Sequence, residues 1–313
     1  MSAPHLGRAG DRGTWLPPFV DAHVHLGLVD PVAVRRGGIA VVHDLGWRPD
    51  VARTWPGRPG LPVVAFAGAF LTAPGGYPSD RSWAPPGSVE EVAAPDDAVA
   101  AVDRQVAAGA SFVKVALHAG AGPVLDDVTL AALVGHAHAR GRDVVAHVEG
   151  RGTAARAFDA GVDRLAHAPF SERLPDDLLT AMAEPRRGAR GSRTAWVSTL
   201  DVHGWGSPTA EQDVAIDNVR RFVAFGGTVV YGTDLGNGPL PLGVNPRELR
   251  ALAAAGLGPD ALLAALTHDL TPAPALATWI PGDPPDHDDP DALAAWLARA
   301  VVEHDPARPE GRP

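Results

Sequence analysis

The chain has 313 residues, of which 45% are hydrophobic and 20% charged, and its formal net charge at pH 7 is −10. This composition is typical of a globular protein that is long enough to bury a large core. The negative charge argues against a nucleic-acid partner, because binding phosphates needs clustered Lys and Arg. The sequence contains no run of about 18 apolar residues, so we predict no membrane span.

The chain contains no cysteine, which excludes disulfides, thiolate nucleophiles and thiolate metal ligands. Any metal must therefore be bound through nitrogen and oxygen. Residues 1–13 are polar and lack the apolar stretch of a signal peptide, so we expect a cytoplasmic protein.

Short β-branched segments alternate with helical patterns along the chain, which indicates βα units around a parallel sheet. Strands are predicted over residues 19–27, 38–44, 61–67, 111–117, 143–147, 163–167, 194–200 and 227–234. Helices are predicted over 96–108, 126–140, 153–160, 210–225, 245–255, 259–267 and 290–302, and a long loop over 72–86. Eight apolar strands favour an α/β fold of the (β/α)8 TIM-barrel type over residues 14–275. A doubly wound open sheet is the alternative. Residues 276–313 are predicted to form a Pro- and Asp-rich C-terminal segment with one helix.

Chemically active side chains occur on several of the predicted strands. His23 and His25 lie two apart on the first strand and therefore point to the same side. Two neutral imidazoles side by side form half of a typical zinc site. The fourth, fifth, sixth and eighth strands carry further candidates, which are Lys114, His147, His167 and Asp234. Because functional side chains of a barrel gather at the C-terminal ends of its strands, we expect these residues to form one site.

A second His-x-His pair, His136 and His138, lies within a predicted helix. Residues two apart in a helix diverge, so this pair is interpreted as two surface residues.

The order His-x-His, Lys, His, His, Asp on strands one, four, five, six and eight resembles the amidohydrolase superfamily of metal-dependent hydrolases. Four local sequences support this resemblance, namely VDAHVH at 20–25, ASFVK at 110–114, AGVDRLAH at 160–167 and GTD at 232–234. The sequences VHDLG at 42–46 and LTAPGG at 71–76 are most similar to the branch of metal-dependent prolidases and imidazolonepropionase relatives. The resemblance covers about residues 16–275.

The resemblance implies a site with two divalent metal ions, with zinc expected and manganese or iron as alternatives. His23 and His25 would bind the first metal, which would share Asp234. His147 and His167 would bind the second metal.

Lys114 would bridge both metals as a carbamate formed with CO2, because a lysine buried in a barrel loses its charge readily. The metals would generate a bound hydroxide and polarise a carbonyl. Asp234 would act as general base and then as general acid. The implied reaction is hydrolysis of an amide-type C–N bond in a cyclic amide or a small peptide-like molecule.

Two features depart from the family pattern. About fifty residues usually precede the first strand and help to build a β-sandwich, but here some eighteen do, so we expect the sandwich to be absent or vestigial. His43 replaces the Arg that is common in the motif of the second strand.

Substrate contacts are expected from His43 and His118 and from loops that should overhang the site. The loop candidates are Tyr77, Arg81, Trp83, His203 and Trp205.

The sequence leaves two alternatives open. The same metal site could serve lactone or other ester hydrolysis, decarboxylation or hydration, because fold and ligands do not determine the substrate. A non-catalytic barrel that binds a ligand is the other alternative. The expected partner is a small-molecule substrate, and the sequence does not decide whether the chain forms a homo-oligomer.

Overall fold

The computed structural model describes residues 5–6, 12–185, 193–268, 273, 275–286 and 289–306. The strands are β1 (His5–Leu6), β2 (Arg12–Leu16), β3 (Val20–Val24), β4 (Val41–Asp44), β5 (Val63–Phe66), β6 (Phe70–Thr72), β7 (Val89–Glu91), β8 (Phe112–His118), β9 (Asp143–Glu149), β10 (Arg164–Leu165), β11 (Ala195–Val197), β12 (Val229–Val230), β13 (Leu276–Pro281) and β14 (Val301–His304).

The α-helices connect these strands and cover the sheets. They are α1 (Pro31–Arg36), α2 (Pro49–Ala52), α3 (Pro95–Ala107), α4 (Asp127–Ala139), α5 (Thr153–Ala160), α6 (Asp176–Ala183), α7 (Ala210–Ala224), α8 (Pro246–Ala254), α9 (Pro259–Leu266) and α10 (Pro290–Leu297). Local sequence defines their ends: the Asp126 side chain accepts a hydrogen bond from Thr129 N at the start of α4, and Gly161 ends α5 in the left-handed conformation at φ +95°. Among the described helices, none is both long and apolar enough to cross a membrane.

The strands form two parallel sheets and one antiparallel sheet. The larger parallel sheet has seven strands in the order β12-β11-β10-β9-β8-β6-β7, and the smaller has the order β3-β4-β5. Every residue of β3 and β4 is buried, as expected for parallel strands covered on both faces. The predicted mixed α/β fold with parallel strands is therefore confirmed.

Backbone hydrogen bonds connect the two parallel sheets at their ends. Next to β12, Ala22 N donates to Tyr231 O at 3.0 Å and His25 N donates to Leu235 O at 2.7 Å. At the other edge of the smaller sheet, Ser111 N, which directly precedes the interior strand β8, donates to the carbonyl of Phe66 at 2.8 Å. A single closed eight-stranded barrel stays a prediction, because the described strand ladders form two separate sheets.

Several predicted boundaries were wrong. The short strands β6 and β7 flank the predicted loop 72–86, and their three-residue length is too short for a recognisable alternation. The helix predicted over 290–302 ends at Leu297, because Val301 and Val302 pair antiparallel with Trp279 and Thr278 in β13.

Both ends of the chain contribute to the antiparallel sheet, whose order is β1-β2-β13-β14. Leu276 and Val302 of this sheet pack against Val20 and Val41, which begin the parallel strands β3 and β4. The antiparallel sheet thus covers the N-terminal ends of these strands and leaves their C-terminal ends free for a site. Within the predicted segment 276–313, residues 287–288 and 307–313 lie outside the described part of the chain.

Candidate metal centre

The structure brings the six predicted metal ligands together around one cavity of about 600 Å³. All six are buried, and each belongs to a different strand or strand end except for the pair from β3. They are His23, His25, Lys114, His147, His167 and Asp234.

The two histidines of the first parallel strand approach each other through their Nε2 atoms, which are 3.3 Å apart. Each Nδ1 lies next to a backbone carbonyl: that of His23 is 2.8 Å from Ala166 O and that of His25 is 3.1 Å from Gly46 O. A carbonyl oxygen can only accept, so each Nδ1 carries a proton, and in the neutral form of each ring Nε2 presents a lone pair.

Asp234 brings a third acceptor to the same point. It follows β12 in the left-handed conformation, at φ +58°. Its Oδ1 lies 3.1 Å from His23 Nε2 and 3.2 Å from His25 Nε2. In the neutral rings, three atoms with lone pairs meet at this point and no proton lies between them. These atoms repel one another unless a cation is bound. The donor set of two imidazoles and a carboxylate therefore fits a divalent metal.

The protonation of these groups agrees with that fit. Burial, helped by Lys114 and His25 and opposed by Asp234, holds the pKa of His23 well below its usual value. Burial alone would raise the pKa of Asp234, but the surrounding imidazoles of His23, His25 and His167 hold it well below its usual value. The site thus combines a neutral His23 with an ionised Asp234.

The remaining two histidines extend the cluster along the sheet. The ring of His167 lies 4.8 Å from the rings of both His23 and His147, measured between centroids. His23, His167 and Asp234 each offer one ligand atom within 4.8 Å of the others. His167 Nδ1 is bonded to Thr199 Oγ1 at 3.0 Å, which leaves its Nε2 for a ligand.

Lys114 lies on β8 and is 1% exposed. Burial, together with the charge of Arg164, lowers the pKa of its ammonium to about 7, although Asp234 and Asp44 act in the opposite direction. A neutral amine is therefore accessible near neutral pH.

The predicted substrate contacts differ in whether they line the cavity, lie behind its lining or do not reach it. Tyr77 and His203 line it, together with Trp83 and Trp205.

Arg81 and His118 lie just behind the lining residues. The Arg81 guanidinium is 5.5 Å from the centre of the Tyr77 ring, and the ring of His118 is 5.0 Å from the same ring. His43 does not reach the cavity lining. It is fully buried, with Nδ1 3.2 Å from Arg164 Nη1 and its ring 5.0 Å from that of Phe112.

Sequence reasoning missed other residues of the cavity lining, which are Leu28, Phe70, Glu149, Phe170, Val202, Gly236, Asn237 and Gly238. A signal was present for Glu149 alone, since it lies two residues after His147 and β9 continues through it. The apolar residues come from loops, short 3-10 turns and the three-residue strand β6, where the sequence has no period that would predict their direction.

Comparisons with known proteins agree with this architecture. No protein-family model matches the chain, and no curated protein matches it in sequence. Its fold is similar to that of a Xaa-Pro dipeptidase with bound methionine, at a TM-score of 0.71 and 19% identity, covering 94% of this chain and 87% of that one. An amidohydrolase structure has a TM-score of 0.70 and 20% identity, covering 93% of this chain and 85% of that one. The structure of phenylurea hydrolase B has a TM-score of 0.66 and 14% identity, covering 92% of this chain and 85% of that one. The predicted resemblance is thus confirmed for the fold, and this chain has the fold of prolidases and other amidohydrolases.

Proposed function

We propose that this protein is a metal-dependent hydrolase of the amidohydrolase superfamily that cleaves an amide-type C–N bond. The convergence of His23 Nε2, His25 Nε2 and Asp234 Oδ1 without a proton between them carries this proposal. Structures with this fold include a Xaa-Pro dipeptidase and a phenylurea hydrolase. A peptide and a urea both contain a bond between a carbonyl carbon and nitrogen.

In this proposal, β3–β5 of the smaller sheet and β8–β12 of the larger sheet are two arcs of one (β/α)8 barrel, and the short strands β6 and β7 lie outside it. The hydrogen bonds from β3 to the residues after β12, and from Ser111 N to Phe66 O, support closure at both seams. The metal cluster then lies at the C-terminal end of the barrel, where the active sites of this architecture occur.

Two divalent ions, with zinc expected, would be held by these side chains. His23, His25 and Asp234 would hold the first ion, and His147 and His167 the second. When bound, such ions polarise a carbonyl and lower the pKa of a water molecule.

Lys114 would join the two halves of the site as a carbamate. Its neutral amine adds the carbon of CO2 and releases one proton, which gives an anionic group with two oxygen ligands. Its near-complete burial and a pKa of about 7 support this reaction, because only the uncharged amine is nucleophilic.

Asp234 would move the proton during hydrolysis. Its Oδ2 accepts a hydrogen bond from Asn237 Nδ2 at 2.9 Å, so the direction of the carboxylate is held. The carboxylate would take the proton from the attacking water and deliver it to the leaving nitrogen.

The cavity walls would bind an apolar part of the substrate and exclude bulk water. Phe70 and Trp83 face the cavity from one side of His25, with ring centres 5.5 and 6.2 Å from that imidazole. Phe170 and Trp205 contribute further aromatic surface to the lining.

The test is turnover of amides by protein loaded with zinc or manganese in bicarbonate buffer. We expect metal-dependent hydrolysis of at least one anilide or peptide-like amide, and loss of activity with a chelator. Hydrolysis of lactones and esters but never of amides would contradict the proposed bond type.

Lys114→Ala should lower the metal content and abolish turnover. Elemental analysis of the purified variant checks this prediction, with the exposed Arg58→Ala as a control that keeps full metal content. Full occupancy of both metals in Lys114→Ala would refute the bridge.

A further inference from the structure

Glu149 presents a free carboxylate oxygen to the cavity. It lies two residues after His147 on β9, so both side chains point to the same side, and it lines the cavity with 31% of its side chain exposed. Its Oε2 lies 3.2 Å from His147 Nε2 and 3.3 Å from His118 Nε2. Among the described residues, none donates a hydrogen bond to Oε1, so this oxygen is available to a ligand.

The cavity offers no comparable partner for a negatively charged group of the substrate. Among the described residues that line it, Lys114 is the only lysine or arginine, and it is buried at the metal cluster. Arg81 stands behind Tyr77, where its Nε pairs with Asp80 Oδ1 at 3.2 Å and 40% of its side chain is exposed. Apart from Lys114, the described lining therefore offers no lysine or arginine to bind a free carboxylate of the substrate.

Two aromatic rings line the cavity together with this carboxylate. The Tyr77 ring stacks on His147 with centroids 5.2 Å apart and lies 6.2 Å from the Trp83 ring. Aromatic faces beside a carboxylate favour an ammonium group, because the ring quadrupole and the anion both attract a cation.

We propose that Glu149 binds the ammonium group of the substrate, and that the substrates are amides of amino acids with a free α-amino group and no free carboxylate. Glu149 contacts His147 directly, so the ammonium must lie close to the reacting carbonyl, and an α-amino group is one carbon away from it. Water adds to the acyl carbon, the C–N bond breaks, and the leaving nitrogen takes a proton. The products are an amino acid and an amine. This inference rests on the proposed hydrolase function for its reaction, but the ammonium site can be measured without it.

Binding of two alcohols that contain no bond to hydrolyse tests the ammonium site. L-phenylalaninol carries the amine and 3-phenylpropan-1-ol lacks it. Calorimetry with the metal-loaded protein at about pH 6.5, below the amine's pKa of about 8, should show at least tenfold tighter binding of L-phenylalaninol, as a charge-assisted hydrogen bond provides. Glu149→Gln should remove this preference, while Glu184→Gln, at an exposed position at the end of α6, should keep it. Equal binding of the two alcohols by the wild type, or an unchanged preference in Glu149→Gln, would overturn the proposal.

A matched series of anilides tests the substrate class. We expect kcat/KM to fall at least tenfold from L-phenylalanine p-nitroanilide to 3-phenylpropanoyl p-nitroanilide, and further for succinyl-L-phenylalanine p-nitroanilide. Glu149→Gln should lower only the first value. If Glu149→Gln lowers the first two values equally, the residue only positions His147 and the proposal is wrong. If no anilide is hydrolysed while the preference between the alcohols remains, the hydrolase function fails and the ammonium site stands.

Discussion

The chain contains one His-x-His pair on a strand and one on a helix, and the same spacing gives them opposite geometry. On β3, the rings of His23 and His25 are 5.2 Å apart, and both Nε2 atoms meet the same carboxylate oxygen of Asp234. A strand repeats every two residues, so both rings are forced into one space.

On α4, the second pair separates. His136 Nε2 binds Asp103 Oδ1 at 2.9 Å, whereas His138 Nε2 binds Asp163 Oδ2 at 2.7 Å. Two residues of a helix are about 200° apart around the axis, so each ring reaches its own carboxylate. The predicted divergence is confirmed, and both side chains are partly buried. Each Nε2 of this pair therefore has its own carboxylate as a partner. The Nε2 atoms of His23 and His25 instead face each other and one shared carboxylate oxygen, an arrangement that a cation would stabilise.

Two buried carboxyl groups, those of Asp234 and Glu248, also differ because of their surroundings. The imidazoles around Asp234 hold its pKa low despite burial. Glu248 on α8 is equally buried, but burial raises its pKa from 4.5 to about 7, since backbone and side-chain hydrogen bonds to it only partly oppose the desolvation. The environment, and not the residue type, separates the ionised carboxylate of the cavity from a structural carboxyl.

The largest expected effect comes from removing the shared carboxylate. Asp234→Asn should keep the fold and lower kcat by about three orders of magnitude, because it removes the proton acceptor. Turnover and thermal unfolding measured on the same preparation check this, and Asp103→Asn, at the helical pair, should leave kcat unchanged. Near-normal turnover in Asp234→Asn would remove its assigned role.

Glu248→Gln should change the pH dependence of stability. Between about pH 4.5 and 7 the unfolded chain releases the Glu248 proton and the folded chain keeps it, so the wild type loses stability as pH rises through this range. The pKa difference between 4.5 and about 7 corresponds to about 3 kcal/mol. Relative to the variant, the free energy of unfolding of the wild type should fall by this amount and stay constant at higher pH. Urea unfolding at several pH values measures it; a pH-independent difference would show that the pKa is not raised.

Exchanging both histidines of each pair for glutamine compares the two pairs directly. The double variant at His23 and His25 should bind metal at least about 100-fold more weakly, because it lacks two ligands. The double variant at His136 and His138 should keep its metal and lose about 1 kcal/mol of stability or less, since its contacts with Asp103 and Asp163 are partly exposed. Metal titration and urea unfolding of both variants decide the comparison, and equal metal loss from both would contradict it.

The sequence predicted that these side chains gather, because their positions depend mainly on strand geometry, and their role as metal ligands stays a prediction. The strand β3 ends at Val24 and His25 directly follows it, so the predicted strand 19–27 is shorter than expected, but the two imidazoles still meet. The C-terminal ends of parallel strands meet at one edge of a sheet. Lys114, His147, His167 and Asp234 then follow from their positions on successive strands, and the structure gathers all of them around one cavity.

Other parts of the structure depend on contacts that the local sequence does not contain. Strand β2 pairs with β13, so Leu16 meets Thr278 across more than 260 positions of the chain. The position of His43 depends equally on distant residues, because Arg164 and Phe112 surround it. Its place on a predicted strand did not show that it would miss the cavity.

Metal stoichiometry, measured by elemental analysis of purified protein, tests the central claim most directly. We predict close to two equivalents of zinc, manganese or iron per chain after purification in bicarbonate. No bound metal, even after metal and bicarbonate have been supplied, would contradict the interpretation of the cluster as a metal centre.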